Sequence, residues 1–221
     1  MEDEIDFSRL SLEELCTHKK SWKARKQGYE QAEKLFLTCD SETSQAVSRF
    51  AYLLKDIAGD ANVVALDKGL DAVLAFVDNA SIAPKTANDV CTPLVMKCLA
   101  SVKQNVQKKA REILLLYCEI GRGDVVQDEL IKGLQQKNPK AIVGCLKAIT
   151  ECLKEFGSGV LTVKPLVKPI VTLLEDRDKT VRDESKSLVV EMYRWAGPAF
   201  RPLPSSTWLV KHDALWARRS W

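Results

Sequence analysis

The chain has 221 residues, 46% of them hydrophobic and 29% charged, with 10 glycines and 8 prolines. It is long for one compact domain and short for two, and this is the composition of a folded, helix-rich protein, not a disordered one. The formal net charge of +3 is too slight to argue for nucleic acid, so only local clusters could recognise charge.

The first residues, MEDEIDF, are acidic and lack the basic and apolar regions of a secretory signal. A short helix is expected around Leu12 and Leu15. In 43–58, TSQAVSRFAYLLKDIA, residues Val47, Phe50, Leu54 and Ile57 recur at the three-to-four spacing of one helix face. Nearly every later apolar stretch carries the same period, and long alternating segments of strand type are absent from the sequence. The longest apolar runs, such as ILLLYC at 113–118, are far too short to span a bilayer. Short turns separate the helices at 59–62 (GDAN), 101–104 (SVKQ), 136–139 (QKNP) and 176–179 (DRDK), which predicts antiparallel hairpins in series.

The segments that follow these turns align on a small residue. They are SWKARKQGYEQA, NVVALDKGLDAV, KQNVQKKAREIL, NPKAIVGCLKAI and DKTVRDESKSLV, with Gly28, Gly69, Ala110, Cys145 and Ser185 in register. A small side chain there lets a helix pack closely on its neighbour. The residues that open the segments are Ser21, Asn62, Lys103, Asn138 and Asp178. All but Lys103 are good helix N-caps, and Pro139 suits a first helical position. Two helices per repeat of roughly 40 residues is a HEAT-like pattern, so an all-α solenoid of five to six hairpins is expected. The domain is placed at 1–202. Pro198, Pro202 and Pro204 forbid a regular helix through their stretch, and residues 203–221 form an atypical segment. A capping helix from about Ser206 to Arg219 would present Trp208, Leu209, Leu215 and Trp216.

Little in the sequence points to catalysis. The two histidines, His18 and His212, lie at opposite ends of the chain, and phosphate loops, dinucleotide fingerprints and zincin motifs are missing. The seven cysteines have no short paired spacing and fit a reducing compartment. Cys91 with Cys98, and Cys145 with Cys152, share helix faces and are read as small core hydrophobes, not metal ligands. No cofactor, metal, nucleic acid or membrane is expected.

In a stack of hairpins the intra-repeat turns line up along one edge, where the second helices begin. That edge carries Trp22, with Lys23 and Arg25 as its expected electrostatic support, then Asn62, Val63 and Val64, then Lys103, then Lys137, Asn138 and Lys140, and last Lys179 and Arg182. A basic residue at a helix N-terminus costs roughly 0.3–1 kcal/mol relative to an acidic one, so its repetition suggests an edge shaped for an acidic partner. Trp and Arg are also the residues most enriched in interface hot spots. Trp22 could instead pack on the helix around Leu12 and Leu15. Five turns about 10 Å apart would span roughly 40–50 Å, which suits a large folded partner.

HKKSWKARKQGYEQA at 18–32 closely resembles the opening of the first TOG domain in the microtubule polymerase family with several TOG domains per chain. GDANVVALDKGLDAVLAFVDNA, QQKNPKAIVGCLKAITECLKEFGS and DRDKTVRDESKSLVVEMYRWAG look like its second, fourth and fifth repeats. The resemblance covers about 8–202. The segment between His18 and Trp22 is one residue longer than the family pattern, and the sixth repeat is hardly recognisable after about Pro202. The resemblance implies a paddle-like stack of HEAT repeats that binds one αβ-tubulin dimer, in its curved free form, through the turns. It places the first-turn tryptophan at Trp22, the second-turn contact at Asn62 to Val64, the basic fourth turn at Lys137 to Lys140 and the fifth-turn arginine at Arg182. It further implies a monomeric domain that serves microtubule plus ends in a longer chain, in the cytoplasm and at spindle poles, centrosomes and kinetochores. The alternative is a general HEAT-repeat adaptor that holds other intracellular proteins.

Overall fold

Helix caps and small residues position the architecture. The computed structural model describes residues 7–39 and 44–197, and among them the chain is helical throughout with no strand. The helices are α1 (Leu12–Cys16), α2 (Trp22–Leu37), α3 (Ser44–Ser48), α4 (Leu54–Ala58), α5 (Val63–Asn79), α6 (Ala87–Met96), α7 (Gln104–Tyr117), α8 (Gly123–Gly133), α9 (Pro139–Phe156), α10 (Lys164–Leu173) and α11 (Lys179–Ala196). Ser21, Asn62, Lys103, Asn138 and Asp178 are the N-caps of α2, α5, α7, α9 and α11. Four of them accept a backbone N–H through the side chain, and Lys103 does not. This is the expected consequence of giving that position no side-chain acceptor.

The second helices pack in series, α2 on α5, α5 on α7, α7 on α9 and α9 on α11, while α4, α6 and α8 form a parallel series behind them. At the register positions the backbones come together. A Cβ on Gly28 would lie 2.8 Å from the Cys16 N and the Leu15 Cβ of α1, and one on Gly69 would lie 2.8 Å from Ile57 of α4. Ala110, Cys145 and Ser185 are wholly buried at the same register. One continuous core runs through the stack from Cys16 to Met192.

Two features of the chain differ from simple hairpins. The stretch 44–58 is not one helix: it is α3, a 3-10 turn at Ala51–Leu53 and α4, tightened by the Phe50 and Leu53 N–H groups bonding three residues back. Its four periodic apolar residues are nevertheless all buried, with Phe50 6.0 Å from Phe36 between ring centroids. The third and fourth repeats are also joined more closely than the others. A π-type turn over Cys118–Arg122 reverses the chain at Gly121, whose φ of 81° falls in the left-handed region, so α8 begins without a loop. The shorter interval between Lys103 and Asn138 follows from this join. Residues 203–221 and the expected capping helix lie outside the described residues.

Candidate binding edge

The intra-repeat turns meet along one edge and are tied to each other there. Arg25 of the first turn donates through Nε and Nη2 to Asp60 of the second, at 2.6 and 2.9 Å. Lys97, just before the third turn, donates to the Gly59 carbonyl of the second at 3.1 Å. Gln136 of the fourth reaches the Val95 carbonyl beside the third at 3.4 Å. The fifth turn is held through the packing of α9 on α11 and a Lys147–Glu184 pair between them.

Within the turns the charges are sorted by sign. The side chain of Asp60 accepts the Asn62 N–H at 2.8 Å, Asp176 accepts the Asp178 N–H at 2.8 Å, and Asp178 caps α11. These carboxylates are directed at backbone N–H groups. The lysines face outward: Lys23, Lys103, Lys137, Lys140 and Lys179 are all exposed, as is Asn138. In the second and fifth turns the positive potential of the helix N-terminus is therefore offset inside the turn, and in every turn but the second an exposed lysine restates it at the surface.

A long polar side chain four residues after the cap braces three of the turns. Arg25 donates to the His18 carbonyl at 2.9 Å, Gln107 to the Ser101 carbonyl, and Arg182 to the Asp176 and Arg177 carbonyls at 2.7 and 2.9 Å. The reach in the first turn is one residue longer, matching the extra residue before Trp22; there His18 Nδ1 accepts the Ser21 N–H. This changes the role expected of Arg25. It is not a free electrostatic support for Trp22, because its guanidinium is occupied by Asp60 and His18 and keeps only 18% exposure. Burial works against the charge of Asp60, but the Arg25 bond, the Asn62 N–H and the Tyr29 hydroxyl outweigh it and hold the carboxyl below its usual value.

Trp22 is half-buried and packs against the core, so part of its ring is structural and part faces outward. Val63 is half-buried and Val64 is 39% exposed. Sequence reasoning missed Tyr29, Asp60, Lys97, Gln107 and Val102, the last being 82% exposed at the tip of the third turn. The aspartates two before the cap in DAN and DRD, and the long polar residue four after it, are the signals that an alignment on the caps makes visible. The cysteines pack as expected, though Cys98 lies beyond the end of α6 in a 3-10 turn and so shares no helix face with Cys91. Cys91, Cys98, Cys118, Cys145 and Cys152 are buried, and burial pushes the thiols of Cys98 and Cys145 up to about 12. Among the described residues no helix is long and apolar enough to cross a membrane.

Residues 6–209 match the model of the XMAP215/Dis1/CLASP TOG domain. Protein mini spindles of Drosophila melanogaster is 45% identical over 91% of this chain, and Centrosomal protein 224 of Dictyostelium discoideum is 32% identical over 88%. The chain spans about 10% of the length of each of these relatives. A solved TOG domain array, of microtubule polymerases that recruit and assemble tubulin, superposes with a TM-score of 0.78 at 20% identity, over 94% of this chain and 46% of that one. The third TOG domain of Drosophila Mini spindles gives 0.71 at 20% identity, over 85% and 82%. These likenesses match the helical solenoid. The chain belongs to the XMAP215/Dis1/CLASP family of TOG domains.

Proposed function

We propose that the chain binds unpolymerised αβ-tubulin through the turn edge, and that in a longer polypeptide it delivers tubulin to growing microtubule plus ends. The observation that carries this reading is the sign-sorted edge: acidic groups turned in on backbone N–H groups, lysines turned out, and Trp22 at one end. Tubulin recruitment by the similar polymerase arrays supports it. The contacts are assigned to Trp22 and Lys23, to Asn62, Val63 and Val64, to Lys103, to Lys137, Asn138 and Lys140, and to Lys179 and Arg182. Arg25 acts through the turn, by fixing the first against the second. Outward charge speeds encounter with an acidic protein, and the half-buried tryptophan slows dissociation. No catalytic step belongs to this reading, and the domain works as a monomer in the cytoplasm and at the spindle.

Size-exclusion co-migration with purified tubulin tests it, comparing the wild type with Trp22→Ala and Arg182→Ala. The wild type is expected to co-migrate, and both variants, folded by circular dichroism, to lose most of the complex. Folded variants that co-migrate like the wild type would show that the edge is not the binding surface.

A further inference from the structure

We propose that a groove between the C-terminal halves of α2, α5 and α7 is a second docking surface, and that its occupant is a basic amphipathic helix of a protein partner. The groove lies away from the turn edge, and the proposal is independent of the tubulin-binding reading above.

The groove is open, with a volume of about 340 Å³. Its apolar lining takes one leucine from each helix, Leu37, Leu74 and Leu116, and its charged lining is Glu33, Asp71 and Asp78, all acidic. Leu74 and Leu116 pack one side on the core, whereas Leu37 is 59% exposed and lies outside it. At 1.5 Å per residue, the groove runs from roughly 13 Å to about 24 Å along α5 from its cap at Asn62. It therefore sits toward the end of the helices that is opposite the intra-repeat turns.

The chain itself shows what this surface accepts. Asp67, Asp71, Leu74 and Asp78 follow one another at three- to four-residue spacing on one face of α5. Lys109 of α7 occupies the first part of that stripe, meeting Asp67 at 3.1 Å and Asp71 at 2.7 Å, and Lys68 stands 3.6 Å from Asp71. Past Leu74 the stripe reaches Asp78, and Glu33 faces the groove from α2; neither forms an ion pair among the described residues. Asp78 also stands in the last turn of α5, where the helix dipole favours a cation. Neither α5 nor α7 has a base in its last turn, and Lys34 of α2 does not line the groove. A lysine or arginine from outside would meet both the carboxylates and the helix ends. An acidic lining repels nucleic acid and anionic lipid, and leucines along a groove suit apolar side chains on one face of a helix. A basic amphipathic helix supplies both features at once.

The probe is a fluorescein-labelled peptide of leucine and lysine whose leucines share one helical face, and the control has the same composition with its leucines spread around the helix. In fluorescence anisotropy with the full chain, the first peptide should bind at least about tenfold more tightly than the second. Leu37→Ser should weaken binding on the order of fivefold at low and high salt alike. Glu33→Gln combined with Asp78→Asn should weaken it about tenfold at low salt and less at high salt. Neither variant should lower the melting temperature, since the side chains changed are not part of the core. Equal binding of the two peptides, or variants that bind as the wild type does, would reduce the effect to general charge attraction and overturn the proposal. In co-migration with tubulin, Leu37→Ser should behave as the wild type does; a loss there would assign the groove to the tubulin surface and overturn it as well. If the wild type does not bind tubulin, that reading falls alone, and the peptide titration still decides this one.

Discussion

Asp60 accepts bonds from Arg25, Tyr29 and the Asn62 N–H at once, and this one side chain joins the first turn to the second. Because its folded-state pKa is depressed, its contribution to stability is fully present above the unfolded value, about 4, and is lost as pH falls through the folded value. Asp60→Asn should cost about 2–3 kcal/mol at neutral pH, below the usual figure for a broken buried pair because Arg25 keeps some solvent contact. Urea unfolding at a series of pH values from neutral to acid checks both statements: the deficit should shrink as the pH drops below about 4. Ser185 presents the opposite case. Its hydroxyl is buried without a hydrogen-bond partner, so Ser185→Ala should leave stability unchanged or raise it by about 1 kcal/mol in the same assay.

At the scale of the helix, Lys103 is the exception among the caps. Lys103→Asp supplies the missing acceptor and a favourable charge, and should raise stability by about 0.5–1 kcal/mol in thermal unfolding. A partner that requires positive charge on the third turn would then bind more weakly, so stability and binding should move in opposite directions. Gly28 constrains its helix more severely. Gly28→Ala brings a methyl to 2.8 Å from the α1 backbone, where no flexible side-chain end can give way, and should cost about 1–3 kcal/mol in the same unfolding experiment. Both features are legible in the sequence, since a cap or a small residue at a fixed interval is a local pattern. The break in 44–58 is not legible: the helical period persists through it, and Phe50 meets Phe36 only across the packed repeat.

Across the whole molecule, ion pairs tie the second helices in sequence. Lys109 of α7 meets Asp67 and Asp71 of α5 at 3.1 and 2.7 Å, Arg111 meets Glu151 of α9 at 2.9 Å, and Lys147 of α9 meets Glu184 of α11 at 3.6 Å. With the cross-bonds between turns, they hold the edge as one preformed surface and lower the ordering cost of binding. Among the described residues α10 is held lightly. α10 contains Pro169 and buries only Leu166, Ile170 and Leu173. Hydrogen exchange should therefore show α10 amides opening before those of α5, whose buried side runs from Ala65 to Val77. Equal protection in the two helices would argue against this ordering.

The sequence by itself determined where the second helices begin and which face of each is apolar, because those depend on residues a few positions apart, and the repeat interval implied that the hairpins stack. It also marked the turns as basic. Only the tertiary structure decided which charges face outward. Arg25 is 35 residues from Asp60 in the chain and can meet it only when the first repeat lies on the second. Once it does, the arginine expected to support Trp22 becomes a brace, and Trp22 itself is divided between core and surface. Partner choice among charged groups is a long-range matter, settled by packing after the local helices have already been set.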